Sequence, residues 1–272
     1  MTGSVDAFDE LAPHYDVSFT QTAIGSLMRR AVWRRLDARF GRDDHILELN
    51  CGTGEDALHL ARRGVRVLAT DASSKMISVA RDKIAGAGLD DWVEFRCMSI
   101  DQFTAKRAAD LKIDVGEPSG FGGVLSNFGG LNCIQDLERF GTALSSYVRP
   151  GAYAMLCLMG PAVPWEWLWY LGRGRPGRAL RRFRRGGVRW HGIDVRYPSI
   201  RTVRRALEPA FRSVRVNAIG ALVPPPYTEN VTGGFPRLLR LADRWERRLE
   251  SVFPLPWLAD HYLIELQRRT VC

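Results

Sequence analysis

Glu48 is the penultimate residue of the apolar run His45–Leu49, the turn Asn50-Cys51-Gly52-Thr53-Gly54 follows at once, and Asp71 closes the next alternating run, Val65–Asp71. A strand, a glycine turn and a helix N-terminus together make a ready site for an anion or a dinucleotide, because unpaired backbone N–H groups point at the ligand. Gly52-x-Gly54-x-x-Ala57 satisfies the dinucleotide fingerprint, and Asp71 lies near the ~20-residue spacing of a ribose-binding acid. Glu48 argues against a pyrophosphate, since a carboxylate beside that anion is repulsive. A ligand carrying a sulfonium and an ammonium group next to an adenosine is favoured there instead. The glycines let the backbone approach such a ligand closely, and Asp71 can accept hydrogen bonds from both ribose hydroxyls.

These residues need strands and helices to hold them. Ile24, Leu27, Met28, Val32, Leu36 and Phe40 recur at near-helical spacing and predict an amphipathic helix before the first strand. "GEDALHLARRG" reads as a helix stopped at Gly64, and "SSKMISVARDKIAGAG" as a helix with a serine cap. "WVEFRCM", "FGGVLSNF" and "AYAMLCLMG" are strand-like, with the helix "IQDLERFGTALSSYV" between the last two. This alternation predicts an α/β fold with a doubly wound, mostly parallel sheet. The rhythm breaks at Pro161, where two short helices and a hairpin turning near His191 and Gly192 are expected. The pattern resumes in "SIRTVRRALEPAF", "VRVNAIGA" and "HYLIELQ", with a proline-rich loop and a further helix, "FPRLLRLADRWERRLESVF", between those last two strands.

"LELNCGTG" followed by "VLATDAS" resembles the first two motifs of class I S-adenosylmethionine-dependent methyltransferases, and "AFDELAPHYD" resembles the N-terminal signature of many bacterial members. The resemblance runs from Phe8 to about Gly160. It implies a Rossmann-like seven-stranded sheet with an N-terminal helical segment and an insertion after the fifth strand. The implied divisions are a helical lid over 1–44, a cofactor core over 45–160, an acceptor-side insertion over 161–198 and a sheet-completing segment over 199–272. S-adenosylmethionine is the implied cofactor, held by Tyr15, Glu48, Asn50, Cys51, Gly52, Gly54, Asp71, Ala72, Met76, Ser99, Ile100, Ser126 and Asn127. Asn50 departs from the family's usual third glycine, a position asparagine tolerates in left-handed backbone. Ser99 or Asp101 must stand in for the family's adenine-binding acid. Cys51 reads as a packing residue of the turn.

Methyl transfer is an in-line displacement whose rate comes largely from holding nucleophile and methyl in contact. Ligands of open α/β sheets lie outside the carboxyl ends of the strands, which puts Ser126, Asn127 and Phe128 beside the reacting methyl. Phe128 reads equally well as core. An oxygen nucleophile usually needs a base. The candidates are His191 in the insertion and His14 beside Tyr15, whose family counterpart closes over the cofactor. His261, next to Asp260, reads as a surface histidine, and no metal is expected.

The insertion joins Trp165, Trp167, Trp169 and Tyr170 to an arginine run. That combination suits stacking on a ring and pairing with carboxylate or phosphate, peripheral contact of 165–189 with an anionic membrane, or a nucleic-acid face. It also suits a lid with inward tryptophans and solvated arginines. The net charge of +9 comes mostly from arginine, and the five cysteines form no CxxC pair, which fits a reducing cytoplasm. No stretch reaches the ~20 apolar residues of a membrane span. Bacterial methyl transfer to a small-molecule or lipid-like acceptor is the leading expectation. An RNA or protein methyltransferase and a non-catalytic S-adenosylmethionine-binding protein are alternatives, with a nicotinamide dehydrogenase last. Nucleic acid is not expected as a partner.

Overall fold

The computed structural model describes residues 2–105, 120–232 and 234–270. Lys106 and Lys112, in the polar stretch after Asp101, and Cys272 lie outside the described residues.

β1 (His45–Leu49), β2 (Arg66–Asp71), β3 (Val93–Cys97), β4 (Phe121–Ser126) and β5 (Val148–Met159) run parallel. A small hairpin, β6 (Val188–Trp190) and β7 (Ile193–Val195), follows in the insertion. β8 (Phe211–Ile219) and β9 (His261–Arg268) complete a seven-stranded sheet ordered β3-β2-β1-β4-β5-β9-β8, with β9 antiparallel to both neighbours. The expected Rossmann-like architecture is thus the one observed. Because β9 enters where β5 leaves, His261 pairs with Met159. A residue at the start of the last strand therefore sits at the carboxyl edge of the parallel strands, where ligands bind.

The helices are α1 (Thr2–Leu11), α2 (Ala23–Asp37), α3 (Glu55–Ala61), α4 (Ser74–Gly86), α5 (Ile100–Ala105), α6 (Leu137–Tyr147), α7 (Pro164–Leu171), α8 (Pro176–Ala179), α9 (Ile200–Leu207), α10 (Glu229–Thr232) and α11 (Pro236–Leu249). One face of the sheet buries Phe103, Phe140, Leu144, Ile200, Val203 and Leu207 from α5, α6 and α9. The other buries Ile24, Met28 and Val32 of α2, Leu58 of α3, Ile77 of α4 and Leu239 of α11. Burial on both faces is why the central strands read as near-continuous apolar runs. The predicted caps form as expected: Ser73 Oγ accepts the Met76 N–H, and Gly64 adopts a φ of +77° just after α3. α1 is a helix that the polar sequence "TGSVDAFDEL" did not suggest.

The buried carboxylate Glu265, in β9, accepts from Arg35 of α2, from Arg39 just beyond that helix and from Asn217 of β8, tying the antiparallel strands to the helix and its C-terminal end. Among the described residues no helix is long and apolar enough to cross a membrane.

Candidate active site

The carboxyl ends of β1, β2, β3 and β4 carry most of the predicted residues. Glu48 is 1% exposed, and its Oε2 has no hydrogen-bond partner. Burial, followed by the charge of Asp56, holds its carboxyl well above the usual range. Asn50 takes the left-handed conformation expected of it, φ +50°. Its amide donates to the Asn127 carbonyl at 2.9 Å and accepts from Ser126 Oγ at 2.6 Å, bracing the glycine turn against the end of β4. The two glycines have different duties. A Cβ on Gly54 would come within 2.8 Å of the Ala80 Cβ, whereas a Cβ on Gly52 would meet nothing within 4 Å. Gly54 packs the turn onto α4, and Gly52 faces open space.

Asp71 accepts the Gly52 N–H through Oδ2 and the Ser73 N–H through Oδ1, both at 2.9 Å. A carboxylate offers about four acceptor directions, so capacity remains toward the open side. Ala72 is half-buried and Met76 is buried in the first turn of α4. Ser99 and Gln102 form a reciprocal cap on α5: the Ser99 N–H donates to Gln102 Oε1, and Ser99 Oγ accepts the Gln102 N–H. The S-x-x-Q spacing was the signal for that cap. It leaves the Ser99 hydroxyl proton, with neighbouring Ile100 half-buried. Cys51 is buried, and burial together with Asp71 and Glu48 pushes its thiol well up, which suits a packing residue of the turn.

The N-terminal segment lies across this turn. Asp16 accepts from Thr53 Oγ1 at 2.6 Å and from Lys83 Nζ at 2.7 Å, while Asp9 accepts from Ser73 Oγ and the Lys75 N–H. Tyr15 is half-buried, with its hydroxyl pKa raised by burial, and His14 is exposed.

Asn127 differs from its expected catalytic role. Its Nδ2 donates to Asp56 at 2.9 Å and its Oδ1 accepts the Phe128 N–H, so both side-chain atoms are engaged within the fold. Ser126 is likewise buried against Asn50. Asp56, which the sequence did not single out, is the hub: it accepts from Arg29 Nη1 at 2.9 Å and Trp33 Nε1 at 2.6 Å as well as from Asn127. The Arg29 guanidinium stacks over Phe128, 5.0 Å from the ring centroid. Phe128 is held at φ +47° with its ring between Phe19 and His261, at centroid distances of 5.0 and 5.5 Å.

His261 departs from the surface reading. It is buried, its Nδ1 is 3.0 Å from Asp260 Oδ2, and Asp260 Oδ1 accepts from Arg182 Nη2 at 2.6 Å. Burial raises the Asp260 pKa, but Arg182 and His261 outweigh it and hold the carboxyl below its usual range. Glu166 completes the chain, pairing with Arg181 and Arg182 at 2.7 Å each. His191 instead sits exposed at the hairpin tip, φ +45°, with its ring on Trp190. It is not brought to Phe128. Arg181 and Arg182 are thus tied to internal carboxylates and do not form the free basic face expected for membrane contact through 165–189.

The family profile described as "Methyltransferase domain" matches residues 46–151. Over that span the chain carries a methyltransferase domain, on the fold that solved S-adenosylmethionine-dependent methyltransferases share. S-adenosylmethionine is its cofactor, and the residues fit it: an unpartnered buried carboxylate, open space over Gly52 and spare acceptor capacity on Asp71. The chain is similar to the demethylmenaquinone methyltransferase of Clavibacter sepedonicus, with 32% identity over 60% of this chain and 61% of that protein. It also resembles the tRNA/tmRNA (uracil-C(5))-methyltransferase of Yersinia pestis, with 37% identity over 32% of this chain and 23% of that protein. The chain therefore spans less than two thirds of these relatives. A methyltransferase solved in complex with the Haloferax volcanii Trm112 methyltransferase activator shares the fold, with a TM-score of 0.57 and 15% identity over 97% of this chain and 98% of that one. The tRNA/tmRNA enzyme overturns the expectation that nucleic acid is not a partner of a methyltransferase domain like this one.

Proposed function

We propose that this methyltransferase transfers the methyl group of S-adenosylmethionine to a small-molecule acceptor lying over the ends of β4 and β5. S-adenosylmethionine supplies an electrophilic methyl carried on a sulfonium. Glu48 faces its cationic end, Gly52 allows close backbone approach, and Asp71 receives the ribose hydroxyls. Tyr15, pinned through Asp16 and Asp9, covers the site.

The observation that carries the acceptor class is the roof. α1 and the β6–β7 hairpin pack together through Ala7, Phe8, Ile193 and Val195, against Cys133 and Met159 at the ends of β4 and β5. A compact acceptor fits beneath such a cover, while a polymer would have to displace it. The partial match to a tRNA/tmRNA methyltransferase supports RNA as the second reading. Supplying methyl-labelled S-adenosylmethionine to the protein with separated small-molecule and RNA fractions of a cell extract decides between them. Label is expected in the small-molecule fraction, and label in RNA alone would replace this reading.

Asp260 and His261 serve as the proton acceptor for an acceptor hydroxyl, in place of His191 and His14. The Asp260 carboxylate stands 3.0 Å from the imidazole Nδ1, and Arg182, itself held by Glu166, fixes Asp260. Asn127 serves as a positioning residue for Phe128. His261→Asn is expected to lower kcat by about 10²- to 10⁴-fold, the usual contribution of a positioned base. S-adenosylmethionine affinity, read by calorimetry, should stay unchanged. Unchanged turnover would remove His261 from the mechanism.

A further inference from the structure

Beside the loops that follow β4 and β5 lies a groove of about 950 Å³ whose walls bring together Arg182, Arg184, Arg185, Arg196, Arg201 and Arg205. The walls come from four places in the chain: the turn after β4, the insertion, the segment after β7 and the first turns of α9. Arg182 is spoken for by Glu166 and Asp260. Arg184, Arg185, Arg201 and Arg205 enter no ion pair among the described residues, and all four are exposed. The facing acids are Asp136 and Glu138. Asp136 is already used, accepting the Arg139 N–H as the cap of α6.

An independent sign comes from Arg196. Its Nη1 donates to the Gln135 carbonyl at 3.2 Å, which fixes the guanidinium in the wall, while its Nε is buried with no partner. The guanidinium is thus a fixed cation in the groove wall, with no carboxylate paired to it among the described residues.

From this geometry we infer that the groove holds the phosphate end of the acceptor, a compact phosphomonoester or diphosphate. This rests on the small-molecule reading above and names its substrate class. Guanidinium groups suit phosphate because they pair with it through two parallel N–H···O bonds and stay charged at any working pH. The groove has the volume of a small-ligand cleft, which runs to ~1,000 Å³, and its convergent arginines favour a compact dianion over a long backbone of single charges. Leu131 and Pro161 line it, so an acceptor held there by its phosphate is anchored beside the ends of β4 and β5, with Arg182 linking the groove wall to Asp260.

The test is calorimetric titration of the full chain with inorganic pyrophosphate and with glycerol 3-phosphate, at low and at high salt. The wild type should bind both saturably, more weakly as salt screens the charges. Arg201→Gln with Arg205→Gln, on the exposed side of α9, should weaken pyrophosphate by about tenfold or more, as expected for losing charge-assisted contacts. Arg184→Gln with Arg185→Gln, contributed by the insertion, should do the same. Circular dichroism checks that both variants fold, and a parallel S-adenosylmethionine titration should be unchanged. Absence of saturable pyrophosphate binding at millimolar concentration, or equal binding by both variants, overturns the groove. So does binding of a single-stranded RNA oligonucleotide without binding of pyrophosphate. If S-adenosylmethionine also fails to bind the wild type, the methyltransferase reading fails as well; loss of the phosphate result alone leaves that reading standing.

Discussion

Asp56→Ala is expected to destabilise the protein by about 3–5 kcal/mol, the usual cost of removing one partner from a buried ion pair. Arg29 and Asp56 are 7% and 4% exposed at their side chains, so the guanidinium left behind has little water to turn to. Trp33 Nε1 and Asn127 Nδ2 lose their acceptor in the same stroke. For a domain of this size each kcal/mol moves the melting temperature by roughly 2–4 °C, so a fall on the order of 10 °C should appear in a thermal melt. Asp56→Asn keeps acceptors for Trp33 but not the charge for Arg29, and should fall between. The effect also reaches the transfer site, because Asn127 holds the Phe128 backbone and Arg29 covers the Phe128 ring. A loss below ~1 kcal/mol would mean that water or a relaxed Arg29 replaces the carboxylate, and that the hub is not structural.

Asp56 also shows what the sequence made legible and what it hid. Sequence-local features were readable. The strands announced themselves by apolar runs, Ser73 by its place before a helical pattern, and Asn50 by its tolerance of positive φ. The signature before the core pointed to a segment lying over the site, although α1 itself is too short and polar to show a helical stripe. Partners distant in the chain were not readable. Asp56 meets Arg29 across 27 positions and Asn127 across 71, and Arg182 meets Asp260 across 78. No periodicity encodes such pairs. The same blindness explains the arginine run: Arg181 and Arg182 look like their neighbours Arg184 and Arg185 until Glu166 and Asp260 fold against them. The surface reading of His261 fails because antiparallel β9 brings this histidine to the ligand edge of the sheet, a long-range pairing that no local pattern encodes.

Glu48→Gln is expected to act in opposite directions on binding and on stability. Glu48 spends its charge on no partner in the ligand-free protein, so neutralising it should weaken S-adenosylmethionine by roughly 10- to 100-fold, the ~1.5–3 kcal/mol of a charge-assisted contact. The same change removes a buried, unpaired carboxylate and should stabilise the ligand-free fold by on the order of 1 kcal/mol at neutral pH. The pH dependence follows the same sign. Burial raises the folded-state pKa of Glu48 above its unfolded value. The wild type therefore has its full stability below the unfolded value and loses part of it as pH rises toward the folded one. Glu48→Gln should lack that loss. Equal affinity in the two proteins, or a variant less stable than the wild type across that range, would show that Glu48 is a structural carboxylate with a partner of its own.

The central claim is that the turn between Glu48 and Asp71 holds S-adenosylmethionine and not a dinucleotide that shares its adenosine. Calorimetric titration of the wild-type chain with S-adenosylmethionine and, separately, with reduced nicotinamide adenine dinucleotide tests this most directly. A saturable one-to-one heat with S-adenosylmethionine and none with the dinucleotide is the predicted result. Saturable binding of the dinucleotide with none of S-adenosylmethionine would contradict it.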